Sequence, residues 1–170
     1  MSAELKIAED KDLNEIYNLL FQQIDGLLNK NEPKITNLSN ITAALKQTFS
    51  KISWVGFYLL KDNLLYLGPF QGKVACTRIE VGKGVCGTAA YKNETQVVTN
   101  VHEFPGHIAC DVESNSEIVV PIMTKNNLVC GVLDLDSTEF SAFGEIDKIW
   151  LEKICKLISE KLELNKNLII

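Results

Sequence analysis

ISWVGFYLLKDNLLYL, residues 52–67, is where the chain stops reading as helix. Residues 52–60 are rich in β-branched and aromatic side chains, which suit a pleated, half-buried surface. Lys61, Asp62 and Asn63 make a turn, and residues 64–67 return as the antiparallel partner. Upstream the apolar period is helical. Leu13, Ile16, Tyr17, Leu20, Ile24 and Leu27 recur at three- and four-residue steps, which predicts a helix over about 10–29, ended by Asn31 and Pro33. Ser39 is expected to cap a second helix, with Ile41, Ala44, Leu45 and Thr48 facing inward. Downstream, Pro69 and Gly72 mark a loop and residues 74–81 alternate as a third strand. Residues 88–92 read as a short helix and 96–99 as a short strand, followed by a polar loop over 100–114. Residues 117–123 and 128–134 form a second hairpin, and 146–162 a closing helix. That helix is expected to turn Ile146, Ile149, Trp150, Ile154, Leu157, Ile158 and Leu162 to one face. Strands joined by turns, with helices at both ends, predict an α+β fold. It comprises an antiparallel sheet of five or six strands, covered on one face by the terminal helices, as one domain over residues 1–170.

The composition narrows the function. A chain of 170 residues, 46% hydrophobic, supports one packed core. A net charge of -5 argues against nucleic acid as the main partner, which needs a basic stripe. The apolar runs are strand-length, too short to span a bilayer. MSAELKIAED lacks the basic-then-apolar order of a signal peptide, so a soluble cytoplasmic protein is expected. Cys76, Cys86, Cys110, Cys130 and Cys155 contain no CxxC pair, which weakens a zinc knuckle or a thioredoxin motif. In a reducing compartment these thiols are either buried and inert or reactive and transiently oxidised.

The unusual residues gather between Gly72 and Asp136. Gly82-Lys-Gly84-Val-Cys86-Gly87 matches GxGxxG, but a dinucleotide site needs a βαβ unit, and the strands here read as antiparallel. The segment reads better as a turn whose backbone N–H groups, at a helix start, favour an anion such as a carboxylate. The same helix start is expected to favour a Cys86 thiolate. His102, Glu103 and His107 are spaced one residue too long for a zinc-protease helix, and Pro105 interrupts them, so no metal is expected there. Cys76 and Arg78, two apart on the predicted strand, share a face; the pair reads first as a buried thiol beside a surface ion pair, and otherwise as a thiolate favoured by the guanidinium. Cys130 and Cys155 read as buried structural thiols. Asp134 and Asp136 share a face at a strand end; they are either solvated acids there or a site for an ammonium group, which suits them better than calcium, since calcium needs more oxygen ligands.

Three stretches together resemble the free methionine-(R)-sulfoxide reductases, enzymes of the GAF fold. They are GKVACTRIEVGKGVCGTA (72–89), NVHEFPGHIACDVESNSEIVVPI (100–122) and GVLDLDS (131–137). The resemblance implies Cys110 as the nucleophile at the sulfoxide sulfur. It implies Cys76 and Cys86 as the resolving thiols, with Cys76 favoured and Cys86 the alternate. Glu117 would be the acid at the sulfoxide oxygen, Asp134 and Asp136 the ammonium ligands, and Trp54 and Tyr58 an aromatic wall around the methyl group. It further implies free L-methionine (R)-sulfoxide as substrate, no bound cofactor, thioredoxin as external reductant and a homodimer. The departures are Asn100 in place of Asp, the extra thiol Cys130, and SAFGEID at 141–147. The alternatives are a non-catalytic GAF domain that senses a small molecule or redox state, and a structural dimerisation module.

Overall fold

The computed structural model describes residues 4–7, 11–106 and 111–165. The chain runs α1 (Leu13–Leu27), α2 (Lys34–Thr48), β1 (Trp54–Lys61), β2 (Leu64–Gln71), β3 (Arg78–Glu80), α3 (Gly84–Lys92) and β4 (Gln96–Val98). A 3-10 turn (Val101–Glu103) then leads to β5 (Ser116–Met123), β6 (Val129–Ser137) and α4 (Glu145–Lys161). The strands form one sheet in the order β3-β2-β1-β6-β5-β4, with every neighbouring pair antiparallel. The expected α+β architecture is present, with six strands.

Side-chain alternation gives this sheet two faces of different character. Val55, Phe57 and Leu59 of β1, Ile118, Val120 and Ile122 of β5, and Leu133 and Leu135 of β6 share one core with α1, α2 and α4. Each fully buried aliphatic or aromatic side chain there contributes about 1.5–3 kcal/mol, so this face holds the domain together. Trp54, Tyr58, Val119 and Val132 point the other way and form a second cluster with Val85, Cys86 and Ala89 of α3. Near the β5–β6 turn the register passes from Ile122↔Gly131 to Met123↔Val129, which leaves Cys130 as a bulge. The bulge turns Cys130 into the helix-side core.

Four local expectations change. The second helix starts at Lys34, after Pro33, whose fixed φ suits a helix entry. Ser39 therefore lies inside the helix, and its hydroxyl donates to the Ile35 carbonyl at 2.8 Å. The third strand is only Arg78–Glu80, so Cys76 lies before it and shares no strand face with exposed Arg78. The short helix begins at Gly84, which places Cys86 in its first turn. Finally, α4 is rotated: Leu151, Ile154, Cys155 and Ile158 are buried, while Ile146 and Ile149 are exposed. Asp147 sets that rotation. It is buried, accepts from the Tyr17 hydroxyl at 2.7 Å and the Gly144 amide at 2.9 Å, and pairs with Lys51 at 2.7 Å. Among the described residues no helix is long and apolar enough to cross a membrane. The apolar tail 168–170 lies outside the described residues.

Candidate active site

Strand β1 lays an aromatic wall on the face opposite the terminal helices. Trp54 stacks on Phe70 of β2 at 5.5 Å between ring centroids and on Tyr58 at 6.1 Å. The indole lies flat because Gly56 carries no side chain. A Cβ there would sit 2.3 Å from the indole and 2.6 Å from Phe70 Cβ. Gly72, at φ +137°, leaves room in the same way, since a Cβ would fall 2.5 Å from Trp54 Cδ1. The polar ends of the wall reach the segment between β2 and β3. Trp54 Nε1 donates to the Lys73 carbonyl and the Tyr58 hydroxyl to the Cys76 carbonyl, both at 3.0 Å. The wall thus also anchors the segment that bears Cys76.

Register brings the acids to this wall. Trp54 lies opposite Asp136 and Gly56 opposite Asp134 across β1–β6, while Glu117 lies opposite Asp136 across β5–β6. Trp54, Tyr58, Cys86, Glu117, Asp134 and Asp136 line one pocket. Val74, Ala75 and Ile79 add apolar surface, and Gly84 and Val85 bring the start of α3 to its edge. Neither lysine nor arginine is among the described lining residues.

Burial without a cation raises the pKa of a carboxyl. Burial, then Asp134 and Asp136, raises Glu117 well above the ordinary carboxylate value. Burial likewise pushes Asp134 up to about 7, although hydrogen bonds to Cys86 and Glu117 oppose the shift. Asp136 is raised by burial and by Asp134. One Asp134 oxygen, Oδ2, lies 3.2 Å from Cys86 Sγ, while Oδ1 is buried with no partner. The buried Ser114 hydroxyl on the pocket wall faces Asp136, and its hydrogen bond opposes the rise in that carboxyl.

The thiols differ from the expectation at one point. Cys86 is raised well above an ordinary thiol by burial and by the Asp134 and Glu117 carboxyls, so the start of α3 does not make it a thiolate. A helix end offers about half a charge, and two acids beside a buried sulfur outweigh it. Cys76 is half-buried and held in a disulfide. Cys110 and His107 also lie outside the described residues. Cys130 and Cys155 are buried free thiols in the helix-side core. Burial pushes Cys130 up to about 11 and raises Cys155 further above its ordinary value. Exposed His102 does not line the pocket; its Nε2 lies 2.9 Å from Asn115 Oδ1. Asn100 Oδ1 accepts from the His102 amide at 3.1 Å, a cap that an aspartate would also provide.

Some pocket features had no reading in the sequence. Ser114 sits in a polar run with no period to mark it. Lys73 bridges to Asp111 at 3.6 Å and to Glu113, joining the Cys76 segment to the residues after position 110. Among the described residues, Cys86, Glu117 and Asp134 bring three ligand atoms within 4.8 Å of one another.

Comparison with known proteins follows the same lines. The GAF domain family model matches residues 37–163. "GAF domain-containing protein A" of Dictyostelium discoideum is 48% identical over 93% of this chain and 99% of its own. The "Free methionine-R-sulfoxide reductase" of Escherichia coli is 46% identical, covering 87% of this chain and 89% of its own. The solved free methionine-R-sulfoxide reductase of Neisseria meningitidis, in complex with its substrate, superposes with a TM-score of 0.87. It is 39% identical and covers 95% of this chain and 96% of its own. With its six-stranded sheet and its acid-lined pocket, this chain belongs to the GAF domain family and, within it, to the group of the free methionine-R-sulfoxide reductases.

Proposed function

We propose that this protein reduces free L-methionine (R)-sulfoxide to L-methionine. The observation that carries the reading is the convergence of three acids and an aromatic wall on one pocket with no lysine or arginine among its described lining residues. Asp134 and Asp136 hold the substrate ammonium, and Asp134 Oδ1 is the unpartnered acceptor it meets. Backbone N–H groups at the start of α3 take the carboxylate. Trp54 and Tyr58 enclose the methyl group and, by shape, select the sulfur epimer.

Glu117 carries the proton the reaction needs, since a sulfoxide is a poor electrophile until its oxygen is protonated. The Cys110 thiolate attacks the sulfur, the S–O bond breaks, and the oxygen leaves on Cys110 as a sulfenic acid. Cys76 condenses with it, forming a disulfide and releasing water. One sulfoxide and two thiols thus give one thioether, one disulfide and one water. An external dithiol of the thioredoxin class then restores the thiols, and no bound cofactor is required. The disulfide at Cys76, beside a free and buried Cys86, favours Cys76 as the resolving residue. This chemistry suits a reducing, cytoplasmic compartment. The exposed Ile146 and Ile149 of α4 support a homodimer packed through helices, and light scattering that finds only the 19.0 kDa chain would rule the dimer out.

The test compares rates on the free (R) and (S) epimers, the N-acetylated substrate and a sulfoxide-containing peptide. Turnover should be confined to the free (R) epimer. Comparable rates on all four would leave only a reactive-thiol protein.

A further inference from the structure

We propose that the reduced protein binds one thiophilic divalent metal ion, of the zinc class, through Cys86, Glu117 and Asp134, and that this ion competes with substrate. The binding half stands on geometry, while the competition half rests on the substrate pocket assigned above. Cys86 Sγ lies 3.2 Å from Asp134 Oδ2 and 4.0 Å from Glu117 Oε1. A tetrahedral ion with bonds of about 2.3 Å to sulfur and about 2.0 Å to oxygen separates those ligand atoms by roughly 3.5 Å. The two sulfur–oxygen separations straddle that value, so side-chain shifts of about half an ångström bring both onto it, and all three ligand atoms already lie within 4.8 Å of one another.

The second observation is the unpartnered oxygen. Asp134 is 6% exposed, and among the described residues its Oδ1 has no hydrogen-bond partner and its pocket has no lining lysine or arginine. A buried carboxylate oxygen without a partner is costly, and a cation removes the cost. An ammonium is one such cation, and a divalent ion brings twice the charge. The donor set selects among metals: a thiolate with two carboxylates suits zinc or cobalt rather than magnesium or calcium, which take oxygen ligands. Three protein ligands leave the fourth tetrahedral position to water. Binding takes the proton from the Cys86 thiol, and from any carboxyl still protonated, and releases it to solvent.

The experiment uses the full chain carrying Cys76→Ser and Cys110→Ser, so that the proposed redox thiols cannot act as ligands. Cobalt(II) is titrated while the thiolate-to-cobalt charge-transfer absorption is followed, and zinc is measured by competition with a chromophoric chelator. One ion per chain is expected. Cys86→Ser should abolish the charge-transfer band, and Asp134→Asn or Glu117→Gln should each weaken binding by more than about tenfold. Cys130→Ala should leave both readouts unchanged. Absence of the band, or a band that survives Cys86→Ser, would overturn the site. In the same chain, saturating free methionine (R)-sulfoxide should displace the ion. If cobalt binds through Cys86 but substrate does not displace it, the competition fails and the metal site stands. If no ion binds while the four-substrate test succeeds, the metal inference alone fails.

Discussion

Asp147 and Asp134 are both buried carboxyls on one domain, and their surroundings are opposite. Asp147, on the helix side, has a tyrosine hydroxyl, a lysine and a backbone amide within 2.9 Å. Asp134, on the pocket side, has the Cys86 sulfur and the Glu117 carboxyl beside it and, among the described residues, no basic group. The first is an anchor whose partners are supplied by the fold. The second is an acid whose partner must arrive from outside. A buried polar group that the chain satisfies serves structure, and one it leaves open marks a binding site. The thiols divide the same way: Cys130 and Cys155 lie in the helix-side core, and Cys86 faces the pocket.

The thiols give the sharpest contrast. Cys110→Ser should abolish turnover in a dithiol-driven assay, while Cys130→Ala and Cys155→Ala should retain most of it. Full activity of Cys110→Ser would remove the proposed nucleophile. Mass spectrometry of the oxidised protein completes the test: a dominant Cys86–Cys110 bridge would transfer the resolving role from Cys76.

The two aspartates come next. Asp134→Asn removes one charged contact to the substrate ammonium, a loss of about 2–5 kcal/mol in kcat/KM. N-acetylation of the substrate should cost a similar amount, and the two should not add because both remove the same contact. The fold itself should survive. Asp147→Ala should do the reverse, lowering stability by about 3 kcal/mol in urea unfolding because Lys51 and Tyr17 lose their buried partner. A variant of Asp147 that stays stable, or of Asp134 that keeps its activity, would erase the distinction.

The contrast also predicts a pH dependence. Asp134 titrates near 7 in the folded chain and near 3.9 when unfolded. Between those values the folded state holds more protons, so stability falls as pH rises through that window and levels off above it. Asp134→Asn should remove its share, on the order of 1–3 kcal/mol, seen as a smaller gap between urea midpoints at about pH 5 and pH 8. An unchanged gap would mean that Asp134 is not the group involved.

The sequence shows these features unevenly. Alternation along β1, β5 and β6 fixes which side chains share a face, so Trp54, Tyr58, Glu117, Asp134 and Asp136 are legible as one set once the strands are paired. Residues 74–77 also alternate, but no ladder holds them as strand, so the supposed pairing of Cys76 with Arg78 is absent. The rotation of α4 was hidden for a related reason. Its apolar positions fit two overlapping stripes, and the choice between them rests on Asp147, whose partners Tyr17 and Lys51 are distant in sequence. The state of Cys86 depends on acids brought from two strands, which no local pattern reveals.

The smallest expected effect lies at the joint between the wall and the thiols. Tyr58 stands between two roles: its ring lines the pocket, and its hydroxyl holds the Cys76 carbonyl at 3.0 Å. Tyr58→Phe keeps the ring and removes only that hydrogen bond, a loss of about 1 kcal/mol. The wall keeps its shape, so KM for free methionine (R)-sulfoxide and the rate of the first, oxygen-transferring step should not change. The segment bearing Cys76 loses one of its two aromatic anchors, the other being Trp54 on the Lys73 carbonyl. Disulfide formation should therefore slow by about fivefold, the rate equivalent of that bond. In a single turnover without external reductant, the sulfenic acid should persist long enough for a diketone trap to label it in the variant more than in the wild type. Equal labelling would leave Tyr58 as a wall residue only, and a raised KM with unchanged labelling would assign its hydroxyl to the substrate.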